Sequence, residues 1–159
     1  MGRIEASASA DINAPLAFVF AVASNVERVR EWQPGLLAAV VLDRDRLGQA
    51  RRVRVETAHG AATLRFTYRD SISISWHQEE GDAAHFSGSW RFSSAAGGIT
   101  RATYEVELDF GRALGLLVAG PVKAALRERI VDVMPLRLKQ RVETLAIDAG
   151  ESEAVEPTA

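Results

Sequence analysis

The stretch from Leu36 to Phe110 constrains the fold more than any other feature of this chain. It is a succession of short alternating segments separated by turn signals at Asp45 to Gly48, His59-Gly60, Asp70-Ser71, Gly81-Asp82 and Ala96 to Gly98. Apolar side chains recur there at every second position, the period of strands with one buried face. Simple hairpin registers agree with one another. Pairing about Asp70 sets Phe66 opposite Ile74 and Leu64 opposite Trp76. Pairing about Gly81 sets Trp76 opposite Phe86, Ile74 opposite Gly88 and Ile72 opposite Trp90. Pairing about Ala96 sets Trp90 opposite Ala102, Gly88 opposite Tyr104 and Phe86 opposite Val106. One face stays apolar throughout, and a one-residue slip would turn every such side chain outward.

A face this apolar needs a cover, and the C-terminal third supplies one. From Pro121 to about Ile147, Val122, Leu126, Ile130, Val133, Met134, Leu138, Val142 and Leu145 form a helical stripe. A helix of this length is not stabilised by propensity alone, so its stripe must lie on an apolar surface. Pro135 predicts a bend between Val131 and Pro135, since an interior proline removes a helical hydrogen bond. At the other end, Arg3 to Asp11 alternates like a half-buried strand. Asn13-Ala14-Pro15 predicts a short helix through Val22. Ser24 with Glu27 reads as a capping box opening a second helix to about Trp32, which Gln33-Pro34-Gly35 ends. The expected fold class is α+β: a curved seven-stranded antiparallel sheet, two short N-terminal helices, and a long C-terminal helix over the concave face. Residues 1–148 form one domain and 149–159 an acidic, disordered tail.

Composition narrows the function classes. Nineteen Lys and Arg against 21 Asp and Glu leave a net charge of −2, so no basic excess exists to grip nucleic acid. The absence of cysteine removes thiolate metal sites and cysteine nucleophiles. The opening Met1-Gly2-Arg3-Ile4-Glu5-Ala6 lacks the apolar core of a signal peptide, and no apolar run is long enough to span a bilayer. These features point to a cytoplasmic protein.

Several segments carry a resemblance. They are Ile12-Asn13-Ala14-Pro15 with Val19-Phe20, and Val29-Arg30-Glu31-Trp32-Gln33-Pro34-Gly35. Further on come Trp76-His77-Gln78-Glu79-Glu80-Gly81, Gly88-Ser89-Trp90-Arg91-Phe92, and Gly97-Gly98-Ile99-Thr100-Arg101-Ala102-Thr103-Tyr104-Glu105-Val106. In order and spacing the chain resembles the helix-grip fold of the START and Bet v 1-like superfamily, in particular its small bacterial polyketide cyclase/dehydrase and coenzyme-Q-binding branch. The resemblance runs to about Glu143. It implies a sheet that curls away from its helix and leaves a tunnel for a hydrophobic ligand.

The residues expected to line that tunnel are Trp32, Phe66, Tyr68, Ile74, Trp76, Phe86, Trp90, Tyr104 and Val106, with Val122, Leu126 and Ile130 from the helix. Gly88, mid-strand, points to unfilled space in the wall. The polar groups available are the hydroxyls of Tyr68 and Tyr104, the indole N–H groups of Trp76 and Trp90, Gln78 and Thr57. Such a wall suits a lipid, quinone or polyketide-like molecule with one or two oxygen functions. Aromatase/cyclases of the superfamily use pocket Arg and Tyr residues, whereas alternation puts Arg65, Arg69 and Arg91 on the outer face. That leaves Tyr68 and Tyr104 as candidate phenolic acids and no catalytic residue to name, and a polyketide cyclase stands as the alternative to a binder or carrier. No Gly-x-Ser-x-Gly elbow or phosphate-cradling glycine loop occurs, so no cofactor is expected. His77 opposite His85, with Glu79, is a solvated group rather than a metal site. The greasy loop from Gly111 to Gly120 is a candidate lid, or a transient docking surface for a membrane or protein.

Overall fold

The computed structural model describes residues 2–58, 60–112 and 120–155, with side chains to residue 149. The seven strands are β1 (Arg3–Ile12), β2 (Leu36–Arg44), β3 (Ala50–Thr57), β4 (Gly60–Arg69), β5 (Ser73–Gly81), β6 (His85–Ala95) and β7 (Ile99–Asp109). They form one antiparallel sheet in the order β1-β7-β6-β5-β4-β3-β2. The meander thus starts at the β2 edge, and β1 adds itself to the last strand, from Arg3 opposite Asp109 to Ile12 opposite Thr100. Between β1 and β2 lie α1 (Leu16–Ser24) and a 3-10 helix (Val26–Glu31).

The C-terminal helix is built from three pieces. An α-helix, α2 (Gly120–Arg127), leads into a π-helical turn (Glu128–Asp132) and then into α3 (Met134–Val155). The π turn sits where Pro135 requires an irregularity. Proline has no N–H for the Val131 carbonyl, and its ring would collide with that carbonyl in a regular helix. The widened turn takes up the misfit, with the Val133 N–H donating to the Glu128 carbonyl at 3.1 Å. Val131, Met134, Pro135, Leu138 and Val142 are buried against the sheet. Lys139 Nζ donates to the Asp11 carbonyl at 2.9 Å, and Arg141 pairs with Glu31 at 2.8 Å, tying the helix to β1 and to the 3-10 turn. This is the helix-grip arrangement, and α3 carries helix to Val155, into the segment 149–159 read from sequence as a tail.

The strand faces are as the alternation requires, but the partners are not. Phe66 lies opposite Trp76 and Tyr68 opposite Ile74, rather than Phe66 opposite Ile74. Trp76 lies opposite Gly88 and Ile74 opposite Trp90. Trp90 lies opposite Tyr104 and Gly88 opposite Val106. Each hairpin is displaced by two residues because each turn is centred one residue later than its sequence signal. The β4–β5 turn is flanked by Arg69 and Ser73, with Ser71 at its centre at φ 58°. The β6–β7 turn is flanked by Ala95 and Ile99 and uses Gly97 and Gly98 at φ 77° and 74°. A shift of two preserves the face of every residue, so hydrophobic patterning cannot detect it.

Three further expectations fail. Ile72, expected inside, is in the β4–β5 turn and is 51% exposed. His77 and His85 do not face each other, since His77 pairs with Ser87 and His85 with Asp109. The capping box does not form: the 3-10 helix starts after Asn25 with no side-chain cap, and Ser24 Oγ turns back to the Ala21 carbonyl at 3.4 Å.

Candidate functional site

The inner face of the sheet gathers aromatic residues into one continuous chain. Tyr68 stacks on Phe66 with ring centroids 6.2 Å apart, and Phe66 meets Trp76 at 5.8 Å. Trp76 meets Tyr104 at 5.7 Å, and Tyr104 meets Trp90 at 4.6 Å. Trp90 then stacks on Phe92 at 6.1 Å and receives Trp32 at 6.3 Å, while Phe92 takes the edge of Phe20 at 5.9 Å. Cross-strand placement explains the run. Trp90 and Tyr104 are direct partners on β6 and β7, and Phe66 and Trp76 on β4 and β5, where facing side chains approach to about 5 Å. Contacts of this geometry add roughly 0.5–1.5 kcal/mol each beyond the area they bury.

Of the twelve residues read from sequence as ligand-lining, Trp32, Ile74, Trp76, Trp90, Tyr104 and Val106 are buried members of the core cluster. Phe66, Tyr68, Phe86, Leu126 and Ile130 are partly buried against it. Val122 stands apart, 52% exposed on α2. The candidate lid falls mostly on residues 113–119, which, like His59, lie outside the described residues.

Gly88 does not mark unfilled space. A Cβ built there would lie 2.5 Å from Trp76 Cζ2 and 2.7 Å from Cε2, with the Glu105 carbonyl oxygen at 2.9 Å. The indole of Trp76 lies flat across its cross-strand partner, and glycine is what permits it. Sequence reasoning saw the glycine and missed its occupant, because the register error placed Gly88 opposite Ile74.

The structure also sorts the polar groups of the wall. The Tyr68 hydroxyl donates to the Ala50 carbonyl at 2.6 Å, and Thr57 Oγ1 donates to the Gly60 carbonyl at 3.2 Å. Gln78 Nε2 donates to the Ala83 carbonyl at 2.9 Å, which fixes the amide and leaves its Oε1 without a partner. Trp76 Nε1 is likewise buried and unpartnered. The Tyr104 hydroxyl forms no hydrogen bond with a described residue. Burial pushes the phenols of Tyr68 and Tyr104 above their ordinary range, so both remain protonated donors at neutral pH.

Among the described residues no Asp, Glu, Lys, Arg or His is buried. Three outer-face arginines are held by carboxylates on their own side. Arg52 and Arg65 share Glu79 at 3.2 and 3.3 Å, and Arg91 pairs with Glu105 at 2.8 Å. Glu79 is therefore engaged by arginine, and no group of three metal-binding side chains occurs among the described residues. A depression of about 770 Å³, open to solvent, touches Ala6, Trp76, Gly88 and Val106, but much of its lining is polar. Ser75, Ser87, Ser89, Glu105, Glu107 and Arg127 contribute to it. Its lining is more polar than that of the apolar-walled tunnel expected from sequence.

Comparison with known proteins agrees with this architecture. The chain is similar to a START superfamily protein from Mycobacterium smegmatis, with a TM-score of 0.77 at 17% identity over 89% of this chain and 98% of that one. It is similar to a protein from Thermus thermophilus, with a TM-score of 0.76 at 19% identity over 89% and 99% of the two chains. It is also similar to the Zhui aromatase/cyclase from Streptomyces sp. R1128, with a TM-score of 0.70 at 18% identity over 89% and 94%. No curated protein sequence matches the chain. The family model described as polyketide cyclase/dehydrase and lipid transport matches residues 12–134, the span that holds the whole aromatic wall and the π turn behind it. With most of its length inside that match, the chain belongs to the polyketide cyclase/dehydrase and lipid transport family.

Proposed function

We propose that this protein binds or carries a small hydrophobic molecule, a lipid, quinone or polyketide-like compound, between the sheet and the C-terminal helix. The observation that carries this reading is the aromatic wall, which runs across the inner face with no buried charge beside it among the described residues. Such a surface gains about 25 cal/mol for each Å² of apolar ligand it covers and repels ions. Trp32, Phe66, Tyr68, Ile74, Trp76, Phe86, Trp90, Tyr104 and Val106 are its contact residues in this proposal, with Val122, Leu126 and Ile130 closing from the helix. A cytoplasmic site of action, with no nucleic-acid partner, belongs to the same proposal. No helix of the described residues is long and apolar enough to cross a membrane. Native mass spectrometry of protein from its own host, followed by lipid extraction, tests the reading. A bound hydrophobe is expected; apo protein that no lipid or quinone protects in a thermal-shift panel overturns it.

Family membership favours a second reading, a polyketide cyclase. In that case Tyr104 is the group able to deliver a proton, since the Tyr68 hydroxyl is already committed to Ala50. Tyr104→Phe should then abolish cyclisation of a poly-keto substrate while leaving its binding in place. Unchanged turnover removes Tyr104 from the mechanism.

A further inference from the structure

The two edges of the sheet are finished differently. β1, at one end of the strand order, carries Arg3, Glu5 and Asp11, all held in ion pairs. β2, at the other end, runs Leu36-Leu37-Ala38-Ala39-Val40-Val41-Leu42, seven residues with neither a charge nor a proline. Leu37, Val40 and Leu42 are each at least half exposed. With Leu47 in the following turn they make up half of the large hydrophobic side chains that stand exposed among the described residues. The inner side of the strand is already covered, since Ala39 and Val41 pack on the cluster of Val26 and Val53. What stays open is the outer side and the free edge. An uncharged edge strand is a ready template for another chain, and soluble proteins seldom leave one bare.

Charge selects among the candidates for its cover. The arginines beside the strand are already matched: Arg44 by Glu27, Arg51 by Asp43, Arg52 by Glu79 at 3.2 Å and Arg54 by Glu56 at 3.7 Å. The edge therefore calls for neither an acidic partner nor an anionic surface, but for a neutral aliphatic strand, and β2 is itself such a strand. We propose that two copies of this chain pair β2 with β2, antiparallel across a two-fold axis at Ala39, and so join their sheets edge to edge. A two-fold contact is self-complementary. An axis at Ala39 sets Ala38 opposite Val40 of the other copy, both on the side that faces Glu56 and Arg54 of β3. It keeps Leu36 to Leu42 against the same seven residues, while Asp43 and Arg44 fall beyond them, level with Gly35 and Pro34. Register shifts against β3 at both ends of the segment keep the pairing short, and the charged β1 edge offers no second site, so the assembly stops at two. A contact this small falls below the roughly 1,600 Å² of a standard interface, so the dimer dissociates on the order of tens of micromolar.

Sedimentation velocity of the full-length protein, from about 1 to about 200 μM, tests the pairing. The average mass should rise from that of one chain towards that of two and go no further. Val40→Lys puts a charge on the paired edge at a side chain that points outward, away from the core. It should keep the protein monomeric throughout, with a urea midpoint close to that of the wild-type monomer. Leu136→Lys, at a comparably exposed leucine on α3, should leave the association as it is. Cross-linking reads the geometry separately, because the chain contains no cysteine. In Val40→Cys the two introduced thiols are diagonal neighbours across the axis, about 7–8 Å apart, and bismaleimidoethane should link them. Leu136→Cys should give no linked dimer. A wild type that stays monomeric throughout, a Val40→Lys protein that associates as well as the wild type, or growth beyond two chains overturns the proposal. Dimers that Val40→Cys fails to cross-link place the contact elsewhere and overturn it as well. If the monomeric wild type instead sediments with vesicles of phosphatidylcholine and phosphatidylglycerol, and Val40→Lys does not, the edge belongs to a lipid surface.

Discussion

Trp76 and Gly88 show how a single cross-strand pair sets the character of the wall. The indole takes the room that any side chain at 88 would need, and one of the close atoms is a backbone oxygen that cannot move aside. Gly88→Ala should therefore destabilise by about 1–3 kcal/mol, as overpacking does. In urea titrations this appears as a lowered midpoint, together with a red-shifted tryptophan emission as the indole is pushed out. An unchanged midpoint and spectrum would mean that Trp76 does not lie across Gly88. Tyr104 gives a second expectation at this scale. Its phenol ionises in the unfolded chain near pH 10 and at a higher pH in the fold, because burial penalises the anion. The folded state thus holds the proton that the unfolded state releases, so this contribution is fully present below pH 10 and is lost as pH rises above it. The loss approaches about 1.4 kcal/mol per pH unit. Tyr104→Phe should flatten the alkaline limb of a stability–pH profile without altering its slope between pH 6 and 9. Neither residue's role was readable from composition. The sequence marks Trp76 and Tyr104 as inward, but which of their polar atoms lacks a partner depends on what three other strands bring against them.

At the level of elements, the C-terminal helix divides by burial rather than by sequence. Leu138 is fully buried, whereas Leu136, two residues earlier, is 58% exposed. Leu138→Ala should cost about 2–5 kcal/mol and Leu136→Ala less than about 0.5 kcal/mol, compared by chemical denaturation at one temperature. Similar losses at both positions would contradict the orientation of the helix. The stripe containing Leu138 was legible because period 3.6 survives the interruption at Pro135, and so was the irregularity itself. Its form, a π turn over Glu128–Asp132, was not, since proline states where a hydrogen bond is missing and not how the chain compensates. The hairpins teach the same lesson for period two. Alternation identifies the faces of Phe66, Trp76, Trp90 and Tyr104, but it is blind to a displacement of two residues, and turn chemistry alone left the centres at Asp70, Gly81 and Ala96 one residue early.

Across the whole molecule, the order of elements was the strongest signal in the sequence. An initial strand, two short helices, a six-strand meander and a terminal helix admit few arrangements, because consecutive antiparallel strands tend to lie side by side. The open sheet that results has two unlike edges. The β1 edge carries Arg3 and Glu5, paired at 2.9 Å, while β2 presents Leu37, Val40 and Leu42, each at least half exposed. Charge is a common protection of a free edge; on β2 the register shifts between Leu36 and Ala38 and on either side of Asp43 interrupt the ladder instead.

The π turn has a consequence for how such a wall is reached. On its C-terminal side the helix is held by Met134, Leu138 and Val142 and by its bonds to β1 and the 3-10 turn; on its N-terminal side, from Gly120 to Arg127, no residue is buried. Amide hydrogen exchange should divide at the same place. Amides of residues 137–147 should be protected to nearly the free energy of global unfolding, and those of residues 121–127 should exchange through local fraying. Uniform protection along the helix would refute the division. Because the fraying segment includes Leu126, which packs on the core cluster, its excursions would uncover part of that cluster while the sheet and α3 stay assembled. The free energy of admitting a guest is then set by a few turns of helix, independently of the free energy that keeps the protein folded.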